Sequence, residues 1–203
     1  RRFSDFIDAL KAVGVTFNIH HCCNSAGTLE LPDFHREMIR PGIIQYGYDA
    51  SKEVLVTGTK IKPVMSLRCC ITHLKTIYEG DCVGYGRHFT ATGPTKIATL
   101  PIGYADGYNR ALSSKIDVIV HGVRAHQVGN ICMDQCMIDV SHIPDVKVGD
   151  EVVLFGEQGS ECVSADEIAD TCHTIIHEIT CNINRRVPRI YVQNGKIVQR
   201  LEY

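Results

Sequence analysis

The chain has no surplus of charge of either sign: Lys and Arg total 21, Asp and Glu 23, and the formal net charge is −2. Without a basic excess there is no electrostatic footprint for nucleic acid or for an anionic membrane. No apolar run approaches the ~18 residues of a membrane helix, so no part of this chain is expected to cross a bilayer. No internal repeat and no low-complexity segment is visible. No Cys-x-x-Cys pair occurs among the 10 cysteines, so the usual spacing of zinc sites is missing. His20-His21-Cys22-Cys23 is the one dense cluster. Read as strand, its neighbouring side chains point to opposite faces and cannot share one ion, so no metal is expected. Cys69 and Cys70, Cys132 and Cys136, and Cys172 and Cys181 lie in apolar runs. Free thiols there behave as small buried hydrophobes, which fits a reducing compartment. The chain opens on Arg1-Arg2-Phe3 and shows no signal-peptide pattern. The expectation is a cut or processed piece of a longer, cytoplasmic polypeptide.

What is present suits one large domain or two small ones, because the chain has 203 residues. Such a length buries roughly 70% of its unfolded surface and needs no disulfide staples. Phe6, Ile7, Leu10 and Val13 fall at helical spacing, so residues 4–13 read as a helix capped by Ser4 and stopped by Gly14. Val15 to Ile19 then reads as a strand, and helix–glycine–strand is half of a βαβ unit. The loop His21 to Gly27 follows that strand, where α/β folds place ligand groups. Ser25 could offer its hydroxyl to an anion, or Asn24 and Ser25 could simply cap the next helix. Residues 33–39 look like a short helix. Arg40 to Gly47 reads as a strand entered through Pro41-Gly42. Arg40 could be a surface charge or could donate to a ring nitrogen or phosphate, and Gly42 and Ile43 could present free N–H groups to an anion.

From about Thr57 the texture changes to short strands, at 64–78, 95–102, 116–121, 123–128, 136–140 and 150–155, separated by turn residues. That pattern indicates an all-β domain, with Lys60 to Pro63 as the boundary. Ser164-Ala165-Asp166-Glu167 reads as a capping box opening a helical segment whose apolar face runs on through Ile175, Ile176, Ile179 and Ile183. Asn194-Gly195 marks a hairpin over 191–198. Near the middle, an apolar run ends in Pro101-Ile102-Gly103-Tyr104-Ala105-Asp106-Gly107. Glycines permit backbone angles that other residues resist, so a strand can stop there and present a phenol. Alone, the stretch reads first as a strand ending in a turn, with Tyr104 as a packing aromatic.

Taken in order, His21 to Ser25, Arg40 to Tyr46, Gly103 to Arg110, Gly129-Asn130-Ile131-Cys132-Met133-Asp134-Gln135 and Arg186-Val187-Pro188-Arg189 resemble the C-terminal part of the alanine racemase family of bacterial enzymes that use pyridoxal 5′-phosphate (PLP). The resemblance implies the last portion of a TIM-type PLP barrel over residues 1–60, an α/β barrel remnant, followed by a mainly-β C-terminal domain over residues 61–203. It implies two-base interconversion of L- and D-alanine in a head-to-tail homodimer with the active site shared across subunits, supplying D-alanine for peptidoglycan. Tyr104 then matches the second base, and Met133 matches the residue whose N–H meets the substrate carboxylate. Arg40 matches the arginine at the pyridine nitrogen, and Ser25, Gly42 and Ile43 match phosphate-binding positions. A free phenol has a pKa of about 10, so a basic Tyr104 needs cationic or hydrogen-bonding neighbours.

Two departures stand out. No lysine of this chain is followed by Ala-Asn-Ala-Tyr-Gly, the context of the family's Schiff-base lysine, so the chain alone is expected to be inactive. Arg185 stands where some members carry a phosphate-binding tyrosine before Arg-Val-Pro-Arg. A serine or broad-specificity racemase of the same family is the nearest alternative, and a non-catalytic β module for binding or dimerisation is the alternative from another class.

Overall fold

The computed structural model describes residues 2–50 and 61–202. The chain divides into two compact units, Arg1–Val64 and Met65–Tyr203. The expected boundary begins at Lys60, which lies outside the described residues. Among the described residues no helix is long and apolar enough to cross a membrane.

The first unit opens with α1, Arg2–Ala12. Its amphipathic spacing is as read from the sequence, but Ser4 lies inside the helix instead of capping it, and its Oγ accepts from Arg36 Nη2 at 2.7 Å. The second helix, α2, spans Ser25–Glu30 and is capped by Asn24, whose side chain accepts the Gly27 N–H at 3.0 Å. Three further expectations fail in this unit. Val15 to Ile19 has no ladder partner among the described residues, and an apolar run without a paired neighbour is not a strand. Residues 33–39 are not a helix. Only a 3₁₀ turn at Pro32–Phe34 forms, because the polar groups that follow bond outward: His35 Nε2 to the Thr28 carbonyl at 2.9 Å and Glu37 Oε2 to the His20 N–H at 2.9 Å. Arg40 to Gly47 is not a strand either. Ile43–Tyr46 is a 3₁₀ turn whose backbone bonds locally, Gln45 N–H to Gly42 O and Gly47 N–H to Ile44 O.

The second unit is mainly β. Its elements are β1 (Leu67–Cys70), β2 (His73–Ile77), β3 (Cys82–Val83), β4 (Phe89–Thr90), β5 (Thr95–Leu100), β6 (Asp117–Val120), β7 (Val123–Val128), β8 (Cys136–Asp139), β9 (Glu151–Gln158), β10 (Glu161–Val163), α3 (Ala165–Thr171), α4 (Ile176–Asn182), β11 (Arg189–Gln193) and β12 (Lys196–Leu201). An 8-stranded sheet runs in the order β1-β9-β6-β7-β8-β5-β2, with β10 added on β9. Every pairing in it is antiparallel. The single strand expected over 64–78 is two, because the chain changes partner at Ile71-Thr72: β1 pairs with β9 and β2 with β5. Val118, Ile119 and Val120 are all fully buried, as are Val152, Val153 and Leu154. Strands with no polar alternation are covered on both faces, and here they form the centre of the core.

Ser164 caps α3 by accepting the Glu167 N–H at 3.1 Å. The return half of the capping box is missing, since the Glu167 carboxylate takes Arg124 Nη1 at 2.8 Å. Of the expected apolar face, Ile179 and Ile183 are buried while Ile175 is exposed. The hairpin of β11 and β12 turns at Asn194-Gly195 as expected. All 10 cysteines are free. Cys132 and Cys136 are buried, but Cys70 and Cys181 are exposed, because they fall on the outer side of β1 and α4. Burial pushes the Cys69 thiol up to about 12, so it is a neutral hydrophobe at physiological pH.

Gln127 on β7 is completely buried. Its Oε1 accepts the Ser114 N–H at 2.6 Å, and its Nε2 donates to the carbonyls of Val128 and Gly129 at 3.1 and 3.0 Å. A buried amide this well partnered fixes the 113–114 turn to the loop that leads to Ile131. Gln127→Leu strands those backbone groups and is expected to cost about 3 kcal/mol, read as a lower urea midpoint with an unchanged m-value.

Candidate active site

In the first unit, two loops are joined by backbone and side-chain bonds. The Arg40 N–H donates to Cys23 O at 2.8 Å, Arg40 Nη2 to Cys22 O at 3.4 Å, and the Gly42 N–H to Ser25 Oγ at 2.9 Å. Ser25 is only 6% exposed, so its hydroxyl is held in place at the start of α2. The Gly42 N–H expected to be free is therefore engaged; Ser25 receives it and keeps its own proton to donate. The Ile43 N–H opens a 3₁₀ turn, where no acceptor exists within the turn. His21 Nδ1 is buried with no hydrogen-bond partner among the described residues. Burial pushes the Cys23 thiol up, aided by Cys22. Cys22 Sγ and Cys23 Sγ both donate to Phe34 O, at 3.6 and 3.3 Å, so the opposite-faces argument drawn from strand geometry does not apply to this loop. Among the described residues no group of three or more His, Cys, Asp or Glu is placed to hold a metal ion.

In the second unit, Tyr104 opens a 3₁₀ turn, Tyr104–Asp106, after β5. The Tyr104 N–H donates to Cys132 O at 3.1 Å and the Ala105 N–H to Met133 O at 3.0 Å. The turn and the Cys132–Met133 loop are thus zipped backbone to backbone. Gly103 makes that possible through space, not through unusual angles. Its φ is −150°, which any residue adopts, but a Cβ there would lie 2.2 Å from Cys132 O and 2.5 Å from Met133 O. Gly107 is different: its φ is +101° and a Cβ would lie 2.2 Å from Asn182 O, so both angle and space require glycine. Tyr104 is 43% exposed and Met133 54%. Among the described residues no hydrogen bond reaches the Tyr104 hydroxyl.

A bonded set of charges backs this turn. Asp106 is buried, and its Oδ2 accepts the Gly103 N–H at 2.8 Å while its Oδ1 accepts Arg186 Nε at 2.7 Å. Arg186 Nη2 reaches Asp134 Oδ1 at 2.6 Å. Two carboxylates hold the Arg186 guanidinium firmly in its charged form.

Family models match both units of the chain. The C-terminal domain model of alanine racemase matches residues 64–191, and the N-terminal domain model matches residues 1–50. The chain belongs to the alanine racemase family. Alanine racemase 1 of Clostridium acetobutylicum is 46% identical over 203 residues, covering 100% of this chain and 53% of that protein. The solved alanine racemase of Bacillus anthracis with bound L-Ala-P superposes with a TM-score of 0.93 at 38% identity, covering 99% of this chain and 52% of that one. The Clostridium difficile 630 alanine racemase in complex with cycloserine gives 0.91 at 41% identity, with 98% and 52% covered. The chain spans about half the length of the relatives it matches.

Within the family frame, the structure brings Ser25 and Gly42 together in the first unit, beside Arg40 and Ile43, and Tyr104 and Met133 together in the second. The residues the sequence reading left without a role are Asp106, Asp134 and Arg186. The only signal was a repeated one: an acid in each of two motifs and an arginine in a third.

Proposed function

We propose that the polypeptide carrying this chain is an alanine racemase that uses PLP to interconvert L- and D-alanine. The observation that carries the reading is Tyr104 fixed beside the Met133 backbone by a turn that only glycine at 103 allows. Racemisation needs a proton removed from one face of the substrate Cα and returned on the other. Tyr104 serves one face, taking or giving the proton at its phenolic oxygen, with the cationic or hydrogen-bonding neighbour that role requires supplied from beyond the described residues, since none of them bonds its hydroxyl. The other face belongs to a lysine outside this chain. The Met133 N–H holds the substrate carboxylate and so fixes which face Tyr104 meets.

The donor chemistry in the first unit suits PLP. The Ser25 hydroxyl and Ile43 N–H would hold its phosphate, and Gly42 would act through Ser25 by fixing the hydroxyl. Arg40 would donate to the pyridine nitrogen; a guanidinium does not release its proton, so that nitrogen would remain an acceptor. When bound, PLP supplies an electron sink for charge developing at Cα. The first unit is the last part of the PLP barrel and the second the C-terminal domain, paired in a homodimer whose active site is shared across subunits. The enzyme works in the cytoplasm and supplies D-alanine for peptidoglycan.

The test is racemisation of L-alanine and L-serine by the full-length protein and by residues 1–203 alone, each with added PLP. The full-length protein is expected to convert L-alanine faster than L-serine, and the 203-residue chain neither. Turnover by the shorter chain would contradict the account, because no lysine in it has the required context.

A further inference from the structure

We infer that Asp134 is a positioning residue for binding of the substrate carboxylate: through Arg186 it holds in place the loop that carries the Met133 N–H. The inference rests on the proposed racemase reading, and at Tyr104 it uses the backbone alone. Cys132 and Met133 each bring an N–H and a carbonyl to this loop. The Cys132 N–H donates to Gln135 O at 2.9 Å, Cys132 O accepts the Tyr104 N–H at 3.1 Å, and Met133 O accepts the Ala105 N–H at 3.0 Å. The Met133 N–H has no partner among the described residues. With its neighbours all engaged, that single donor is left open, and an open N–H is a seat for an anionic oxygen.

The two bonds from residues 104 and 105 run to one turn, so by themselves they leave the loop free to pivot about them. Asp134 supplies an anchor to a different part of the chain. Its Oδ1 takes Arg186 Nη2 at 2.6 Å. Arg186 is itself fixed, its Nε on the buried Asp106 at 2.7 Å and its N–H on Asn184 Oδ1 at 3.1 Å. The Asp134 side chain is 62% exposed, and an ion pair that open adds little to stability. What it can contribute is position: the arginine end is already ordered, so the contact restrains the loop. Asp134 adjoins Met133, and releasing it lets the Met133 N–H move.

The test uses the full-length protein and propionate, a carboxylate of the substrate's size without the amine. Asp134→Ala cuts the tether at its exposed end and leaves Arg186 on Asp106, so the unfolding midpoint should hardly move. A hydrogen bond to a charged group is worth about 10-fold or more in affinity, and Asp134→Ala is expected to weaken propionate binding, read by titration calorimetry, by that order. KM for L- and D-alanine should rise by a similar factor with kcat within a few-fold, because the carboxylate is held alike in ground and transition states. A purely structural defect gives the reverse, a lower kcat with KM and propionate affinity unchanged, and that pattern would overturn the inference. Asp134→Asn keeps an oxygen that accepts from Arg186 and is expected to bind propionate within about 3-fold of wild type. A loss in Asp134→Asn equal to that in Asp134→Ala would overturn the tether, since charge and not anchorage would then be what matters. Tighter binding in Asp134→Ala would overturn it too, by showing that Asp134 only repels the carboxylate. The two failures are separable. A wild type that binds propionate but does not racemise alanine sinks the racemase reading, and the titrations of the variants still decide the tether. A wild type that racemises alanine without binding propionate, or an Asp134→Ala protein that binds it as wild type does, sinks the inference alone.

Discussion

Tyr104→Phe in the full-length protein is expected to lower racemisation by about 1,000-fold, the middle of the range for removing a general acid–base group. The ring and its packing stay; only the oxygen that handles the proton is lost. The loss must be the same in both directions. L- and D-alanine have equal free energies in an achiral solvent, so the equilibrium constant is unity and kcat/KM for the two enantiomers must remain equal in any variant. A measured inequality of kcat/KM between directions would therefore indicate an assay fault, whereas an equal loss of less than ten-fold would remove Tyr104 from the role of base. The variant should keep its stability, because the side chain is 43% exposed and its hydroxyl has no partner among the described residues.

Gly103→Ala is the second large effect, and its cause is steric. The added Cβ would meet Cys132 O at 2.2 Å and Met133 O at 2.5 Å. Both are backbone atoms, so no side-chain rotation can relieve the contact, and the zipper must open. The cost expected for such overpacking is about 3 kcal/mol, seen as a fall in the unfolding midpoint of the Met65–Tyr203 unit. Racemisation should be lost with it, since Tyr104 and Met133 part. Gly93→Ala is the control: nothing lies within 4 Å of its Cβ and its φ is not positive, so an effect within about 0.5 kcal/mol is expected. Normal stability and activity in Gly103→Ala would show that the turn is not what holds Tyr104.

The β unit was the legible part of the chain. β7, β8 and β9 lie where alternating or continuous apolar runs between turn residues placed them, because antiparallel strands carry their pattern locally. β3, β4 and β10 escaped notice; each has two or three residues, too few to show a period. In the first unit the pattern misled. Val15 to Ile19 and Arg40 to Gly47 have strand-like composition, yet a strand needs a partner, and the Ile43–Tyr46 backbone is bonded to itself. The turn at Tyr104 was legible but for an incomplete reason: Gly103 has ordinary angles and is needed for close approach. The Asp106–Arg186–Asp134 set left only a faint signal, an acid in each of two motifs and an arginine in a third, with nothing to pair them. Its members are 80 and 52 residues apart, and only the folded sheet brings them together.

The claim at the centre is that Tyr104 serves one face of the substrate and another base serves the other. The most direct measurement follows α-deuterium incorporation into each enantiomer of alanine by Tyr104→Phe full-length protein in D₂O, without waiting for racemisation. The account expects one enantiomer to incorporate deuterium with its configuration retained while the other incorporates essentially none. Comparable incorporation into both enantiomers would contradict it.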